Sequence, residues 1–380
     1  PGCTGSWCPP VWCRGRWDTT NVASLLRYIH AHGLASGTSP LYAFELGNEL
    51  ISHEAPQNTT ADLKEAAALI QSVWADTAPA DRPGLYGPST DACSDPGQLD
   101  IMANITGVPG VAGFTFHGYP AHNGSGPNAL ADLLLNASWL RTGVLTGSDA
   151  IGCLDAWNAG PRARGLQLLV TEASSSYNWQ LPAPAQDSVL HTLFTVAELG
   201  QYALAGVGAV GRWSLSETTP FATIRFVGSD PASGRRQYRV AADYWLLLAH
   251  KATVGPGVLN VAVPPHSPVV AYGYCAKGGF GAGGGAMVLA AVNTAATTAT
   301  LDLGAIAPAP RLEYVFTAPG GNLSAVAPVL NGGPPLRLEA DGGLPAAFSP
   351  AHRTEGAVTL PPRSSAYFVL LAATIPACAA

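Results

Sequence analysis

The sequence is poor in charged side chains, and especially in lysine. Charged residues make up 12% of the chain, roughly half the usual share in globular proteins. Only three of the 19 basic residues are lysines: Lys64, Lys251 and Lys277. The formal net charge is -6, and no basic stripe interrupts this acidic balance. Because nucleic-acid binding depends on basic side chains that neutralise phosphates, the composition excludes a nucleic acid as the partner.

Long hydrophobic runs and metal-binding cysteine patterns are missing as well. No run approaches the ~18 consecutive apolar residues of a membrane-spanning helix, and the longest candidate, residues 366–373, has the length of a strand. We therefore expect no integral membrane segment, although attachment to a membrane surface stays open. The spacing of the seven cysteines matches no zinc site, and we expect neither a metal nor a cofactor.

The chain does hold ample material for a hydrophobic core, together with signs of secretion. It has 380 residues, of which 47% are hydrophobic, and this suits one large domain or two ordinary ones. Cysteines combined with Asn-x-Ser/Thr sequons favour a secreted, disulfide-bonded glycoprotein. We expect it outside the cell, in a cell wall, or in a lysosome or vacuole. The five sequons begin at Asn58, Asn104, Asn123, Asn136 and Asn322.

Hydrophobic periodicity divides the chain into two parts. In residues 1–252, short apolar strands alternate with helical patterns, which is typical of βα units around a parallel sheet. In residues 253–380, short strands separated by Gly and Pro turns predict an all-β antiparallel sandwich domain. The predicted fold is therefore α/β, a TIM barrel followed by a sandwich. The five barrel strands begin near Leu41, Gly84, Gly110, Leu166 and Gly206.

Two acidic residues stand at the ends of apolar strands. Glu49 and Glu172 each end such a run, and the carboxyl ends of barrel strands share one mouth. Two carboxyls facing each other there are the minimal set for glycoside hydrolysis. The alternative is that each residue anchors a loop or forms a salt bridge. We interpret Glu45, deeper on the first strand, as a buried structural acid that needs a partner such as Arg212.

Five separated segments resemble the heparanase-like enzymes, glycoside hydrolase family 79. Phe44–Glu49 (FELGNE) resembles their acid/base strand, and Leu169–Tyr177 (LVTEASSSY) resembles their nucleophile strand. The resemblance covers about residues 17–378, in order and at similar spacing. The other three segments resemble the helix that leaves the barrel and two sandwich strands: Asp243–Leu246, Tyr272–Cys275 and Leu360–Val369.

The resemblance implies a retaining β-glucuronidase-type hydrolase with a two-carboxylate, double-displacement mechanism. Glu49 would be the general acid/base and Glu172 the nucleophile, and Asn48 would hydrogen-bond the sugar 2-hydroxyl. The segment FHGY is similar to the strand beside the nucleophile. Its Tyr119 would hold Glu172 ionised and oriented, and its His117 would take part in substrate binding. The alternative for both is an aromatic rim with satisfied hydrogen bonds.

The resemblance also implies how two of the cysteines pair. Cys275 and Cys378 would form a disulfide that closes the sandwich and contributes a few kcal/mol to stability. The pairing of the other five stays open: Cys3, Cys8, Cys13, Cys93 and Cys153.

The barrel of the resembled family has eight strands, whereas only five are predicted here. The resemblance places Glu49 after the fourth strand and Glu172 at the end of the seventh, so the five strands correspond to strands four to eight. We therefore expect an N-terminal barrel segment of three βα units in the complete protein. Five strands cannot close a barrel, and both outer strands would show open edges.

The expected substrate is a polysaccharide or a proteoglycan glycan that carries a β-linked glucuronic acid. Residues 50–54, 89–95 and 120–124, which follow the expected site residues, contain no Lys or Arg. A polysulfated chain would meet acidic groups there, so a less charged glycan is favoured. Four arginines after the last barrel strand either bind a carboxylate or lie in a solvated loop: Arg225, Arg235, Arg236 and Arg239.

Two other functions stay open at this point. The chain could be an inactive or carbohydrate-binding relic of such an enzyme, because its barrel is incomplete. It could also be another hydrolase of the same Asn-Glu barrel clan, such as an arabinofuranosidase. The cysteine-bearing end of the sandwich argues against the second alternative.

Overall fold

The structure is a computed structural model that covers most of the chain. Three of the cysteines, Cys3, Cys8 and Cys13, fall outside the residues that it describes, as do Asn123 and Arg235. The described residues are 17–33, 41–49, 55–91, 93–121, 127–177, 186–217, 222–229, 231, 233–234, 236–280, 285–304, 306 and 309–379.

Helices and strands alternate up to residue 253. In chain order, the elements of this part are α1 (Thr20–Ala31), β1 (Ala43–Glu45), α2 (Pro56–Val73), β2 (Gly84–Thr90), α3 (Pro96–Ile105), β3 (Val111–Gly118), α4 (Pro127–Leu134), α5 (Ala137–Gly147), α6 (Ala150–Asn158), β4 (Gln167–Ala173), α7 (Val189–Ala205), β5 (Ala209–Arg212), β6 (Ser216–Glu217), β7 (Ile224–Ser229), β8 (Arg236–Val240) and α8 (Ala242–Thr253).

From residue 254 onward the described elements are strands and short 3-10 turns. The strands are β9 (Val254–Leu259), β10 (Val269–Ala276), β11 (Met287–Asn293), β12 (Ala299–Leu301), β13 (Arg311–Thr317), β14 (Val329–Leu330), β15 (Ala351–Arg353), β16 (Val358–Leu360) and β17 (Ser364–Leu370).

The chain packs into two compact units, each assembled from several segments. The first unit consists of Pro1–Gly118, Asp149–Glu172 and Val207–Gly211. The second consists of Tyr119–Ser148, Ala173–Gly206 and Arg212–Ala380. The domain boundary expected between residues 252 and 253 stays a prediction.

The first unit is built on a five-stranded parallel sheet in the order β1-β2-β3-β4-β5. Phe44 on β1 pairs with Leu85 on β2, and Leu85 pairs in turn with Val111 on β3. Sequential parallel strands joined by helices are the repeating unit of a TIM barrel. The fold is therefore half of such a barrel, as the alternating pattern predicts, whereas the numbering of the strands as four to eight stays a prediction.

Close packing in this sheet depends on glycine and on the apolar face of α2. Leu63 and Ile70 of α2 are almost fully buried, which places the helix on one face of the sheet. A Cβ atom at Gly113 would lie 2.3 Å from the carbonyl oxygen of Gln167 and 2.7 Å from the ring of Tyr86. Since no side chain fits at that distance, glycine allows β3 and β4 to approach each other.

The β-rich part of the second unit is antiparallel, as predicted. Its large sheet has the order β14-β13-β17-β11-β10-β9, with β15 paired to β13, and a two-stranded sheet, β12-β16, accompanies it. The core lies between the two sheets, where Val358 and Leu360 of β16 pack with Leu289 and Phe368 of the large sheet. Residues of alternate parity therefore face this core, as in a sandwich.

Two disulfides are present among the described residues. One joins Cys275 to Cys378 and ties the end of β10 to the last 3-10 turn, which is the pair that the family resemblance implies. The other joins Cys93 to Cys153 of α6, a pairing that the sequence left open. None of the helices in the described part of the chain combines the length and the apolar character that crossing a bilayer requires.

Some elements differ from the sequence predictions. The apolar period of residues 129–140 predicts one helix, whereas the structure has two, α4 and α5. Asn136 interrupts the helix and caps α5 by accepting a hydrogen bond from the backbone N–H of Trp139 at 3.1 Å. Helix α6 was not expected. The arginine segment, for which a solvated loop was one of two interpretations, contains strands β7 and β8, which pair with each other and extend a small sheet with β6.

Candidate active site

The turn after β1 carries Glu49 in an uncommon backbone conformation. Gly47 has φ 112° and Glu49 has φ 54°, so the chain turns sharply directly after the strand. The backbone N–H of Glu49 donates to the carbonyl of Ser89 at 2.9 Å, which fixes the turn against the end of β2. Ser89 also has a positive φ, 57°. Two residues with positive φ that are joined by a backbone hydrogen bond indicate a strained local conformation that the surrounding structure maintains.

His117, at the end of β3, connects the two glutamates. Its Nδ1 lies 2.8 Å from Oε1 of Glu49 and 3.4 Å from Oε2 of Glu172. Its Nε2 lies 2.9 Å from the hydroxyl oxygen of Ser89, and the backbone N–H of Ser89 donates to the hydroxyl of Thr115 at 2.8 Å. The imidazole is therefore held at both nitrogens.

These contacts define the tautomer of the ring. A carboxylate oxygen can only accept a hydrogen bond, so Nδ1 of His117 carries the proton when it faces ionised glutamates. Nε2 of the neutral ring then accepts the proton of the Ser89 hydroxyl. One N–H thus faces both carboxylates and stabilises negative charge on either.

The carboxyl groups of Glu49 and Glu172 lie close together but differ in exposure. One oxygen of each and a ring nitrogen of His117 lie within 4.8 Å of one another. The side chain of Glu49 is 37% exposed, whereas that of Glu172 is 14% exposed and that of His117 is 1% exposed. One carboxyl is thus open to incoming groups from solvent, and the other is set back beside the buried imidazole.

The same three side chains form a group that could hold a divalent cation, because each offers one ligand atom. Two carboxylates and an imidazole are suitable ligands for several divalent metals. The reaction implied by the resemblance needs no such ion, and the expectation of a metal-free site stays a prediction.

The other expected site residues are placed as follows. Asn48 is exposed next to Glu49. Tyr119 belongs to the second unit, where its ring packs edge-on against Tyr177 with the centroids 6.0 Å apart. The structure thus brings Glu49, His117 and Glu172 together in the first unit, whereas the orienting role expected of Tyr119 stays a prediction.

The interpretation of Glu45 is wrong. This residue is exposed rather than buried, and its Oε1 accepts a hydrogen bond from the hydroxyl of Thr171 at 2.8 Å. Arg212 instead donates through Nε to Oδ2 of Asp243 at 2.8 Å. The expectation failed because it assumed a closed barrel interior around Glu45, whereas this face of the five-stranded sheet is accessible.

Sequence reasoning also missed Ser89 and Thr115. The sequence predicts a short strand that begins at Gly84 and ends at a turn at Pro88, but β2 continues to Thr90. Ser89 therefore lies at a strand end, as Glu49 and Glu172 do. A hydroxyl at the carboxyl end of the neighbouring strand was the available signal. It is a weak signal, because serine is common in turns.

Comparison of the structure with solved structures finds several with a similar fold. An arabinofuranosidase of glycoside hydrolase family 51 from Xanthomonas axonopodis pv. citri is 15% identical with a TM-score of 0.60, and the match covers 94% of this chain and 74% of that protein. A conserved exported protein from Bacteroides fragilis is 12% identical with a TM-score of 0.56, covering 91% and 69%. A family 44 xyloglucanase from Paenibacillus polymyxa, solved with xyloglucan, is 13% identical with a TM-score of 0.53, covering 92% and 70%.

At these identities the similarity shows the fold alone, and it agrees with the half-barrel followed by a β-rich part. The sequence itself matches no known family model, and no curated protein matches it. The similarity to the heparanase-like family therefore rests on the five segments of the sequence.

Proposed function

We propose that this protein is a retaining glycoside hydrolase in which Glu49 is the general acid/base and Glu172 is the nucleophile. The observation that carries the proposal is the approach of the two carboxyls, one oxygen of each lying within 4.8 Å of the other beside His117. Retaining enzymes hold their carboxyls about 5–5.5 Å apart, whereas inverting enzymes leave room for a water between them. The similar folds of an arabinofuranosidase and a xyloglucanase also support a glycosidase.

The mechanism follows from the exposure of the two carboxyls. Glu172 attacks the anomeric carbon and forms a glycosyl ester, while Glu49 gives its proton to the departing glycosidic oxygen. Glu49 then removes a proton from a water molecule, which attacks the same carbon and releases Glu172. The exposed position of Glu49 suits an acid that must reach the leaving group and then water. The Nδ1–H of His117 stabilises Glu172 before the first step and Glu49 after it.

We propose a β-linked glucuronide in a polysaccharide or proteoglycan glycan as the substrate, acted on outside the cell. The family resemblance supports the glucuronide, and the lack of Lys and Arg in residues 50–54, 89–95 and 120–124 supports a glycan of low sulfation. Two disulfides support an oxidising compartment, and so does the exported protein of similar fold. Glycosylation of the sequons, and a cell wall or a lysosome as the specific location, stay predictions.

An arabinofuranosidase activity is the second candidate, because the fold is similar to that of such an enzyme with a TM-score of 0.60. An inactive, carbohydrate-binding relic is the third. It depends on whether an N-terminal barrel segment completes the sheet, which stays a prediction.

The test is the hydrolysis of aryl glycosides by the full chain and by its glutamine variants. We expect turnover of an aryl β-glucuronide, with the sugar released first in the β configuration in proton NMR spectra. Glu49→Gln and Glu172→Gln should each lower kcat by a factor on the order of 10³ or more. Glu45→Gln is the matched control on the preceding strand: Gln keeps an oxygen that can accept the hydrogen bond from Thr171, Glu45 has no role in the proposed chemistry, and the variant should retain turnover.

Azide distinguishes the two roles. With Glu172→Ala, azide should replace the nucleophile and yield an α-glycosyl azide, whereas with Glu49→Ala it should attack the glycosyl ester and yield the β-glycosyl azide. Hydrolysis of aryl α-L-arabinofuranoside in place of the glucuronide would favour the second candidate. Turnover of no aryl glycoside, or an α-configured first product, would contradict the proposal.

A further inference from the structure

The hairpin β7-β8 places two arginines directly opposite each other. Arg225 on β7 is the register partner of Arg239 on β8, and like charges across an antiparallel pair destabilise a sheet. Both guanidinium groups reach the same oxygen of one buried carboxylate: Oδ2 of Asp187 lies 2.9 Å from Nη1 of Arg225 and 2.5 Å from Nη2 of Arg239. A single aspartate thus holds two cations together.

The charges of this cluster do not cancel. Asp187, whose side chain is 1% exposed, supplies one negative charge against two positive ones. Arg225 and Arg239 retain side-chain exposures of 20% and 38%, and the Nε of Arg239 is buried without a hydrogen-bond partner. These three side chains together therefore carry a net positive charge, and the exposed parts of both guanidinium groups can meet solvent or a ligand.

The two arginines line an open pocket of about 380 Å³ together with residues 226–228. Its volume is in the range of small-molecule sites. Phe226 and Tyr238, the next register pair, pack their rings with the centroids 5.8 Å apart on the opposite face of the strand pair and so support the hairpin behind the arginines. Gly228, at a register shift of the strand pair, has φ 138°, so the backbone bends at the rim where a side chain would be strained.

We propose that this pocket binds the carboxylate of a uronic acid residue in an acidic glycan. The inference rests on the proposed function, from which it takes a uronic acid as the class of ligand. Guanidinium groups bind planar carboxylates through paired N–H donors, and Asp187 holds both in place before the ligand arrives. Four of the chain's 19 basic residues lie between 225 and 239, so the hairpin concentrates positive charge in an otherwise acidic protein.

The experiment is a titration of the full chain with sodium D-glucuronate, in which binding is measured by NMR or by calorimetry. We expect Arg225→Gln and Arg239→Gln each to weaken binding about tenfold, as for the loss of one charge-assisted hydrogen bond. Arg236→Gln is the matched control: Arg236 is exposed on the same strand as Arg239, and its loss removes the same charge away from Asp187. Arg225→Lys, which keeps the charge without the planar donor pair, should also weaken binding.

Two further probes test the chemistry of the ligand. The methyl ester of glucuronic acid and glucose should bind at least tenfold more weakly than glucuronate. Equal binding of the ester, an equal loss in Arg236→Gln, or unchanged binding in both arginine variants would overturn the inference. Inorganic sulfate that competes as well as glucuronate would also overturn it, because the pocket would then be a general anion site. Thermal unfolding of each variant shows whether it is folded.

These measurements do not depend on catalysis. Arginine-dependent binding without turnover of any glycoside would leave the pocket standing while the hydrolase proposal fails. Turnover that requires Glu172, together with glucuronate binding that is unchanged in both arginine variants, would support the hydrolase proposal and overturn the pocket.

Discussion

The buried imidazole of His117 has the geometry of a positioning residue. With 1% of its side chain exposed, it has almost no surface to offer a sugar, although sequence reasoning placed it among the substrate-binding residues. Its contacts run instead to Glu49 and Glu172 on one side and to Ser89 on the other. A group held in this way can fix the direction of both carboxyls and share one N–H between them.

We expect His117→Phe to lower kcat for an aryl β-glucuronide by about 10–100-fold while KM changes little, because the variant removes a donor that supports the charged intermediates. The pH profile of kcat should move at the same time, since Glu49 loses its hydrogen bond to Nδ1 and Glu172 loses the same group as a near neighbour. Ser89→Ala, which frees only the far side of the ring, should have a smaller effect in the same direction. A raised KM with an unchanged kcat would instead assign His117 to substrate contact.

At this scale the sequence predicted that the two glutamates lie close together, but it did not predict Ser89 and Thr115 beside them. Glu49 and Glu172 were accessible to prediction because strand ends of a parallel sheet converge, whatever the details of the loops. Ser89 was not, since its position depends on β2 continuing two residues past a proline. The burial of Glu45 was predicted wrongly, because the position of a residue along a strand shows which face of the sheet its side chain lies on, but not whether other residues cover that face.

Helix α7 of the second unit is buried over most of its length, and it buries polar groups as well as apolar ones. Glu198 on this helix is 2% exposed. Burial raises the pKa of its carboxyl from the ordinary 4.5 to about 8, Arg212 opposes the rise, and Asp243 adds to it. The folded protein therefore keeps a proton on Glu198 that the unfolded chain releases at a much lower pH.

This difference predicts a pH dependence of stability. Between pH 4.5 and 8 the folded state binds more protons at Glu198 than the unfolded state does, so its contribution to the free energy of unfolding declines as the pH rises through that window. Glu198→Gln, which mimics the neutral carboxyl, should remove the decline and stabilise the protein at pH 8. Urea unfolding at pH 5, 6.5 and 8 measures the effect.

The exposed Glu355 provides the control for that experiment. Glu355→Gln makes the same substitution at an exposed position and should leave the pH dependence as it is in the parent protein. A parallel decline in Glu198→Gln and the parent would contradict a protonated Glu198.

Helices and strands with a clear hydrophobic periodicity were predictable, and elements whose bounds depend on single polar contacts were not. The apolar runs 269–275, 286–292 and 366–371 predict three strands, and β10, β11 and β17 match them within two residues, because their apolar side chains fill the sandwich core. The break between α4 and α5 depends on one hydrogen bond, from the backbone N–H of Trp139 to Asn136. The hairpin β7-β8 depends on Asp187, which lies far away in the sequence and offsets the repulsion between its two arginines.

For the whole molecule, the parallel and antiparallel sheets were predictable from the sequence, but the chain segments that make up each of the two units were not. The alternating pattern and the Gly/Pro-punctuated strands predict a barrel-type sheet and a sandwich. Helices α5 and α7 nevertheless belong with the β-rich unit, because Gly200 of α7 brings its backbone close enough to pack on the ring of Tyr272. No local pattern shows such a contact, since it joins residues far apart in the chain.

The two disulfides allow the units to be compared directly. Cys275–Cys378 spans 103 residues in the second unit, and Cys93–Cys153 spans 60 residues in the first. Loop-closure entropy grows only with the logarithm of the loop length, so two loops of these lengths differ by less than about 1 kcal/mol. We therefore expect removal of either pair as a double alanine variant to lower the free energy of unfolding by a similar amount, about 2–5 kcal/mol.

Activity should separate the two variants even though their stabilities do not. The glutamates lie in the first unit, so at 25 °C the folded fraction of Cys275→Ala/Cys378→Ala should keep the parent kcat for an aryl β-glucuronide. In Cys93→Ala/Cys153→Ala, α6 is no longer tied to the segment that follows β2. Ser89 at the end of β2 is then held less firmly against the imidazole of His117, and we therefore expect the kcat of this variant to fall. Denaturant unfolding and initial rates on the same samples measure both quantities. Loss of kcat in the first variant alone would contradict the assignment of catalysis to the first unit.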